Sequence, residues 1–212
     1  QAKATQTYAA TLAGFRGQAT NSGATSVGGF DNIASGIYSV ALGGRSNTSN
    51  GQYSYALGYG AHTQGVNRRV AFAGNGVSGE TQSGWFSIGR TTSDATPIAL
   101  TTDVNGTPST TNQIILPNNS AYAFHGTIVA REQASSGTDC AAWKIEGLIR
   151  REGSAGTTVL VNSATTVLDN TPSWGMALSA DTTNGGLKIQ ATGAASTNIR
   201  WVATINTSEV TY

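Results

Sequence analysis

The sequence is short of charge, sulfur and helix-forming residues, and each shortage excludes something. Only 11% of its 212 residues are charged, 12 Lys and Arg against 11 Asp and Glu, where a soluble domain carries about 25%. A net charge of +1 provides no field to neutralise phosphates, so no nucleic-acid partner is expected. The Ala, Glu, Lys, Leu and Arg that build helical bundles and coiled coils do not dominate. A lone cysteine, Cys140, excludes an intrachain disulfide and a cysteine-built zinc site, and reads as a small buried hydrophobe. The single methionine is Met176, so the chain reads as a fragment or a processed product. No stretch approaches the ~20 apolar residues of a membrane span, and no signal segment opens the chain, so no membrane insertion is expected.

In place of charge stand 27 Gly, 30 Thr, 21 Ser and 15 Asn. With 38% hydrophobic residues and four Trp the chain has enough apolar surface to bury a core, which argues against disorder. An all-β fold follows.

Glycine recurs at Gly14, Gly29, Gly44, Gly74 and Gly89, a step of fifteen that skips only Tyr59. A second column precedes it at Gly28, Gly43 and Gly58. Around these columns the chain reads ATSVGGFDNIASG, SVALGGRSNTSNG and SYALGYGAHTQG, then a degenerate RVAFAGNGVSG. Each copy has a short alternating segment, then glycines, then an Asn/Ser/Thr run closed by Gly: a strand followed by turns that need positive φ. Fifteen residues is too few for a helical repeat or a propeller blade. It fits one coil of a β-solenoid stacking at ~4.8 Å, and about six coils are expected. So thin a roll is expected to enclose Ala, Val, Leu and Ile. Its remaining apolar side chains, Phe30, Tyr38, Tyr53, Tyr55 and Phe72, must then be covered from outside.

The pattern from Ile33 to Gly65 resembles the left-handed β-roll in the heads of trimeric autotransporter adhesins, which recurs in bacteriophage tail fibres and tailspikes. The resemblance covers residues 9 to about 90. It implies a homotrimer with three rolls packed around one axis.

Pro97, Pro108 and Pro117, with Asn105-Gly106 and Asn118-Asn119, mark residues 91–111 as a connector between a roll (1–90) and a second domain (112–212). In the latter, Trp143, Ile145, Gly147 and Ile149 alternate with Lys144, Glu146, Leu148 and Arg150, a strand with one buried and one wet face. Further strands are expected at Thr157 to Val161, Met176 to Ser179, Leu187 to Ala191 and Ile199 to Ile205, with a hairpin signal at Asn184-Gly185-Gly186. Such spacing suggests an antiparallel β-sandwich, jelly-roll-like. The segments AFHGTIVAR, AWKIEGLIRR and WVATINTSEV resemble the C-terminal heads of phage tail-fibre proteins.

Signals for chemistry are weak. His62 and His125 have no HxxxH or HxH partner, and no metal or cofactor site is expected. Gly74-Asn75-Gly76-Val77-Ser78-Gly79 matches the dinucleotide pattern in glycines only, with no helical period after it, so repeat glycines explain it. A depolymerase would need two carboxylates ~5–10 Å apart, and the eleven acids are scattered. Glu146, alternating with Lys144 and Arg150, reads as a solvated face. Glycan binding needs less: aromatic faces with short amides and hydroxyls at a loop surface. Trp143 and Trp201 fall on inward positions and Trp85 at the end of the roll, where it is expected to cap it. Trp174 is the surface candidate, grouped with Asp139, Asn170, Asp181 and Asn184 from the 133–139 and 169–174 loops and the 181–186 hairpin.

The expected function is that of a virion tail fibre or tailspike segment, extracellular, attaching to a host surface glycan and meeting other tail proteins. Three alternatives stay open: a trimerisation or folding clamp without receptor binding, the head of a bacterial adhesin, and a glycan depolymerase.

Overall fold

The computed structural model describes residues 2–132, 139–170 and 172–212; the expected 133–138 loop lies outside them. Among the described residues the fold is all-β, with one 3₁₀ turn at Ala155–Thr157, and no helix is long and apolar enough to cross a membrane. The chain forms two compact units, Gln1–Trp85 with Ser208–Tyr212, and Phe86–Thr207.

The first unit is a β-solenoid. Nine short strands run β1 (Lys3–Ala4), β2 (Ala10–Leu12), β3 (Gln18–Ala19), β4 (Thr25–Val27), β5 (Ile33–Ala34), β6 (Val40–Arg45), β7 (Thr48–Ser49), β8 (Tyr55–Tyr59) and β9 (Val70–Gly74). They stack as two parallel ladders, β2-β4-β6-β8-β9 and β1-β3-β5-β7. Register fixes the coil length: Ala10 pairs Thr25, Thr25 pairs Val40, Val40 pairs Tyr55 and Tyr55 pairs Val70, fifteen residues each time. The turns repeat as strictly. Ala13, Gly28, Gly43 and Gly58 all take positive φ at that step, as do Tyr8, Gly23, Tyr38, Tyr53 and Arg68. Gly44 has φ +63, and a Cβ there would overlap the Gly58 carbonyl oxygen, so this column admits no side chain.

The bore is narrower than its sequence suggested. Its buried apolar residues are alanines: Ala19, Ala24, Ala34 and Ala41 in one cluster, and Ala56, Ala61, Ala71 and Ala73 in another. Val40 and Leu42, expected inside, lie on the other face of β6, with Leu42 exposed, while Ser39 and Ala41 point in. Branched side chains do not fit so small a cross-section, so the apolar phase of the alternation faces out. A buried methyl contributes only about 0.8 kcal/mol, and polar ladders carry much of the specificity.

The clearest ladder is asparagine. Asn32 Nδ2 donates to the Gly28 and Gly43 carbonyls at 3.0 and 2.9 Å, and its Oδ1 accepts the Asn47 N–H at 3.0 Å. One coil on, Asn47 Nδ2 donates to Gly43 and Gly58 at 2.9 and 2.7 Å, and its Oδ1 accepts the Ala61 N–H at 2.9 Å. Ser39 donates to the Ser49 carbonyl, and Ser49, Ser54 and Thr63 join by their hydroxyls.

Two expectations need correction. The solenoid has five strands on its longer ladder rather than six coils. Gly89 lies beyond it, because after the Asn75–Gly79 turn the chain reverses and β10 (Thr81–Thr92) runs antiparallel to β9, Ser83 opposite Phe72. The glycine-rich pattern at 74–79 is that turn. Trp85 does not close the roll either: it is 48% exposed on β10.

The second unit holds β11 (Ile98–Ala99), β12 (Ile114–Ile115), β13 (Ser120–Glu132), β14 (Cys140–Arg151), β15 (Val159–Asp169), β16 (Gly175–Asp181) and β17 (Gly186–Thr192), with most of β18 (Ile199–Thr211). Strands β15-β14-β13-β18 neighbour one another in one sheet; in another, β17 pairs with β11, β12 and β16. On β14, Trp143, Ile145 and Ile149 are buried and Lys144, Glu146, Leu148 and Arg150 exposed, as the alternation predicts. Cys140, expected to be buried, is exposed at the start of that strand.

Replacing Asn47 by Ala removes three buried hydrogen bonds, and each backbone group left unpaired costs about 1–3 kcal/mol. Asn47→Ala is expected to lose about 3 kcal/mol or more in urea unfolding, a loss that an exposed β15 substitution such as Thr166→Ala does not reproduce.

Candidate functional site

The residues singled out for receptor binding fall into separate places. Trp174 is buried, its ring 5.9 Å from that of Trp201. Asn170 holds it there: its Nδ2 donates to the Trp174 carbonyl at 2.7 Å and its Oδ1 accepts the Trp174 N–H at 2.9 Å. Trp174 is therefore no exposed sugar platform in this chain. Its turn is folded inward because the ring finds the Trp201 and Trp143 stack, whose own centroids lie 5.6 Å apart.

Asp181 and Asn184 also bond to each other. Asp181 Oδ1 accepts the Thr183 and Asn184 N–H groups at 2.9 and 3.0 Å, and Oδ2 accepts Asn184 Nδ2 at 3.0 Å. Burial works to raise the Asp181 pKa, but these bonds and the Lys188 charge outweigh it and hold the carboxyl below its ordinary value. The group closes the β16–β17 hairpin. Asp139 stands apart, exposed just before β14.

Two concavities carry more chemistry. In the second unit a cleft of about 380 Å³ is lined by Arg90, Thr91, Val104, Val129, Arg131, Arg200, Trp201 and Val202. Strand alternation explains how it forms. On β13, Ile128 and Ala130 are buried while Val129 and Arg131 face out; on β18, Trp201 and Ala203 are buried while Arg200 and Val202 face out. The Asn105-Gly106 turn, read from sequence only as a connector, docks on β10: Arg90 Nη1 donates to the Gly106 carbonyl, and Asn105 Oδ1 accepts the Thr91 N–H, each at 2.8 Å. That brings Val104 to the cleft. Arg90, Arg131 and Arg200 lie 41 and 69 positions apart, so no sequence motif joins them.

In the first unit a groove of about 320 Å³ is lined by Phe72, Asn75, Gln82, Glu209 and their neighbours. Beside it the roll's inner ladders end in charge. Arg69 occupies the step of Ala24, Ser39 and Ser54, fully buried, and pairs with the fully buried Glu209. Gln64 Oε1 accepts from Arg69 at 2.6 Å, and Gln82 Nε2 donates to Glu209 at 2.9 Å and to the His62 carbonyl at 3.0 Å. His62 falls on the step of Asn32 and Asn47, and its Nδ1 accepts the Gln64 N–H at 3.1 Å. Burial, aided by the Arg69 charge, pushes the His62 pKa below its ordinary value.

No carboxylate lines the arginine cleft and Glu209 is the one acid lining the groove. Among the described residues no cluster of three potential metal ligands occurs.

No protein-family model matches the sequence, and no curated protein is significantly similar to it. Solved structures similar to it include three phage tailspikes. That of Acinetobacter baumannii bacteriophage Fri1, described as a capsular polysaccharide depolymerase, is 8% identical with a TM-score of 0.32, over 92% of this chain and 36% of that one. That of Acinetobacter phage vB_ApiP_P1 is 12% identical with a TM-score of 0.31, over 95% and 39%. That of Acinetobacter baumannii phage AM24 is 9% identical with a TM-score of 0.27, over 96% and 50%. The chain thus spans between about a third and a half of the length of these proteins.

Two outcomes follow from the buried network. Glu209→Gln removes the carboxylate charge facing buried Arg69 and is expected to cost about 3 kcal/mol or more in chemical unfolding. Because His62 binds a proton less readily folded than unfolded, its contribution is full above pH ~6.5 and is lost as pH falls below that value. Melting temperature is expected to drop between pH 7.5 and 5, and His62→Gln flattens that part of the profile.

Proposed function

We propose that this chain is a segment of a phage tail fibre or tailspike: a homotrimeric β-roll shaft (1–90), a connector (91–111) and a β-sandwich head (112–212), attaching the virion to a polysaccharide on the host surface. The observation that carries the reading is the column of rings standing outside a bore too narrow to hold them. Phe15 stacks on Phe30 at 5.1 Å and Tyr38 on Tyr53 at 5.3 Å, each one coil apart. Tyr55 and Phe72 are also about half exposed. The roll's few cations lie over these rings, Arg45 at 5.0 Å from Phe30 and Arg68 at 5.2 Å from Tyr53. A surface of this length, apolar and regular, asks to be covered, and other copies of the same coil offer matching spacing.

A second observation favours assembly through the head. All eleven residues of β15 are exposed or half-exposed, with Val159, Val161, Val167 and Leu168 among them. As the terminal strand of its sheet it presents both apolar faces and an open edge, which an isolated protein normally blunts. Such contacts would also serve a trimerisation clamp that reads no receptor.

Three weak glycan sites on one rigid axis gain avidity without any one being tight. The reading fits an extracellular virion protein, and aromatic and short amide side chains on its surface suit sugar rings.

Light scattering after gel filtration is expected to give three times 21.7 kDa; a monomer contradicts the trimer. The intact chain is expected to bind host cells or their purified envelope polysaccharide. A trimer that binds neither at high concentration points to the clamp.

A further inference from the structure

Building on the attachment reading above, we propose that the cleft framed by Arg90, Arg131 and Arg200 binds a carboxylate-bearing saccharide. Three of the chain's 12 cationic side chains converge there from β10, β13 and β18, with no acid among the lining residues. Among the described residues neither Arg131 nor Arg200 forms an ion pair. Arg90 holds the Gly106 carbonyl through Nη1, but its Nε is buried with no hydrogen-bond partner. A buried N–H left without an acceptor is costly, and a ligand oxygen would satisfy it.

The rest of the lining fits the same class. Val104, Val129 and Val202 give an apolar floor for the C–H face of a sugar ring, and the guanidinium fork matches carboxylate geometry in two parallel hydrogen bonds. A volume of about 380 Å³ falls within the ordinary size of ligand sites. Exposed arginines on alternating strands are common and by themselves mean only a solvated face. Their convergence over an apolar concavity, beside an orphaned N–H, is what singles this cleft out. In a chain so poor in charge, this concentration of one sign is also its largest departure from its own composition.

The test is calorimetric titration of the full chain with tetragalacturonate and with trisialic acid, against methyl-esterified tetragalacturonate and against citrate. Arg131→Gln and Arg200→Gln are compared with Arg150→Gln, whose side chain lies outside the cleft and pairs with Glu152. Melting curves check that each variant is folded. At least one acidic saccharide is expected to bind, more weakly as salt rises. Its affinity is expected to fall about tenfold or more for the ester and for either cleft variant, the loss of a charge-assisted contact, while Arg150→Gln binds as the wild type. Equal binding of acid and ester, undiminished binding by both cleft variants, or displacement by citrate as effective as by saccharide overturns the assignment, as does failure of both acidic probes to bind. In each of these cases attachment still stands if the chain binds host cells or their envelope polysaccharide. It falls separately if the chain binds neither.

Discussion

The width of the roll governs the rest of the structure. A coil of fifteen residues closes around a space that admits alanine, serine, threonine and asparagine, and nothing larger until Arg69 at its last step. The carbonyls of the glycine column turn into that space, and each needs a donor that a hydrocarbon side chain lacks. Asn32 and Asn47 meet the need twice over, bonding the carbonyl in their own coil and the one in the next. The same side chains then set the vertical register, since their Oδ1 atoms accept an N–H from the coil above.

From that constraint the outside follows. With the interior closed to rings and branched side chains, Tyr38, Leu42, Tyr53, Tyr55 and Phe72 are left at the surface. The solenoid's end shows the complementary case. Where the ladder can no longer pass its bonds to a further coil, Arg69, Glu209, Gln82 and His62 replace alanine and asparagine, and the buried polar groups are satisfied by a charged network instead.

The period was legible in the sequence because turn chemistry is local: a residue with positive φ, or a carbonyl approached too closely for a Cβ, selects glycine wherever it recurs. Period-two alternation likewise placed β14 and β18. Which phase faced inward was not legible. Ser39-Val40-Ala41-Leu42 alternates equally well either way, and the decision rests on the bore's diameter, a property of the closed coil. Gly89 kept the step of fifteen without belonging to it, since only strand direction separates it from the roll. The site residues failed for a related reason. Trp174 sits in a turn full of polar residues, yet its ring reaches Trp201, and the three arginines of the cleft meet only through sheet pairing and a docked turn.

On this account the roll is one part of an assembly, its rings and the bare strand β15 covered by further copies. Cryo-electron microscopy of the protein in solution tests that most directly. The account predicts three chains about one axis, with Tyr38, Tyr53, Phe72 and the valines of β15 packed against neighbouring copies. Single chains with those side chains in water would contradict it.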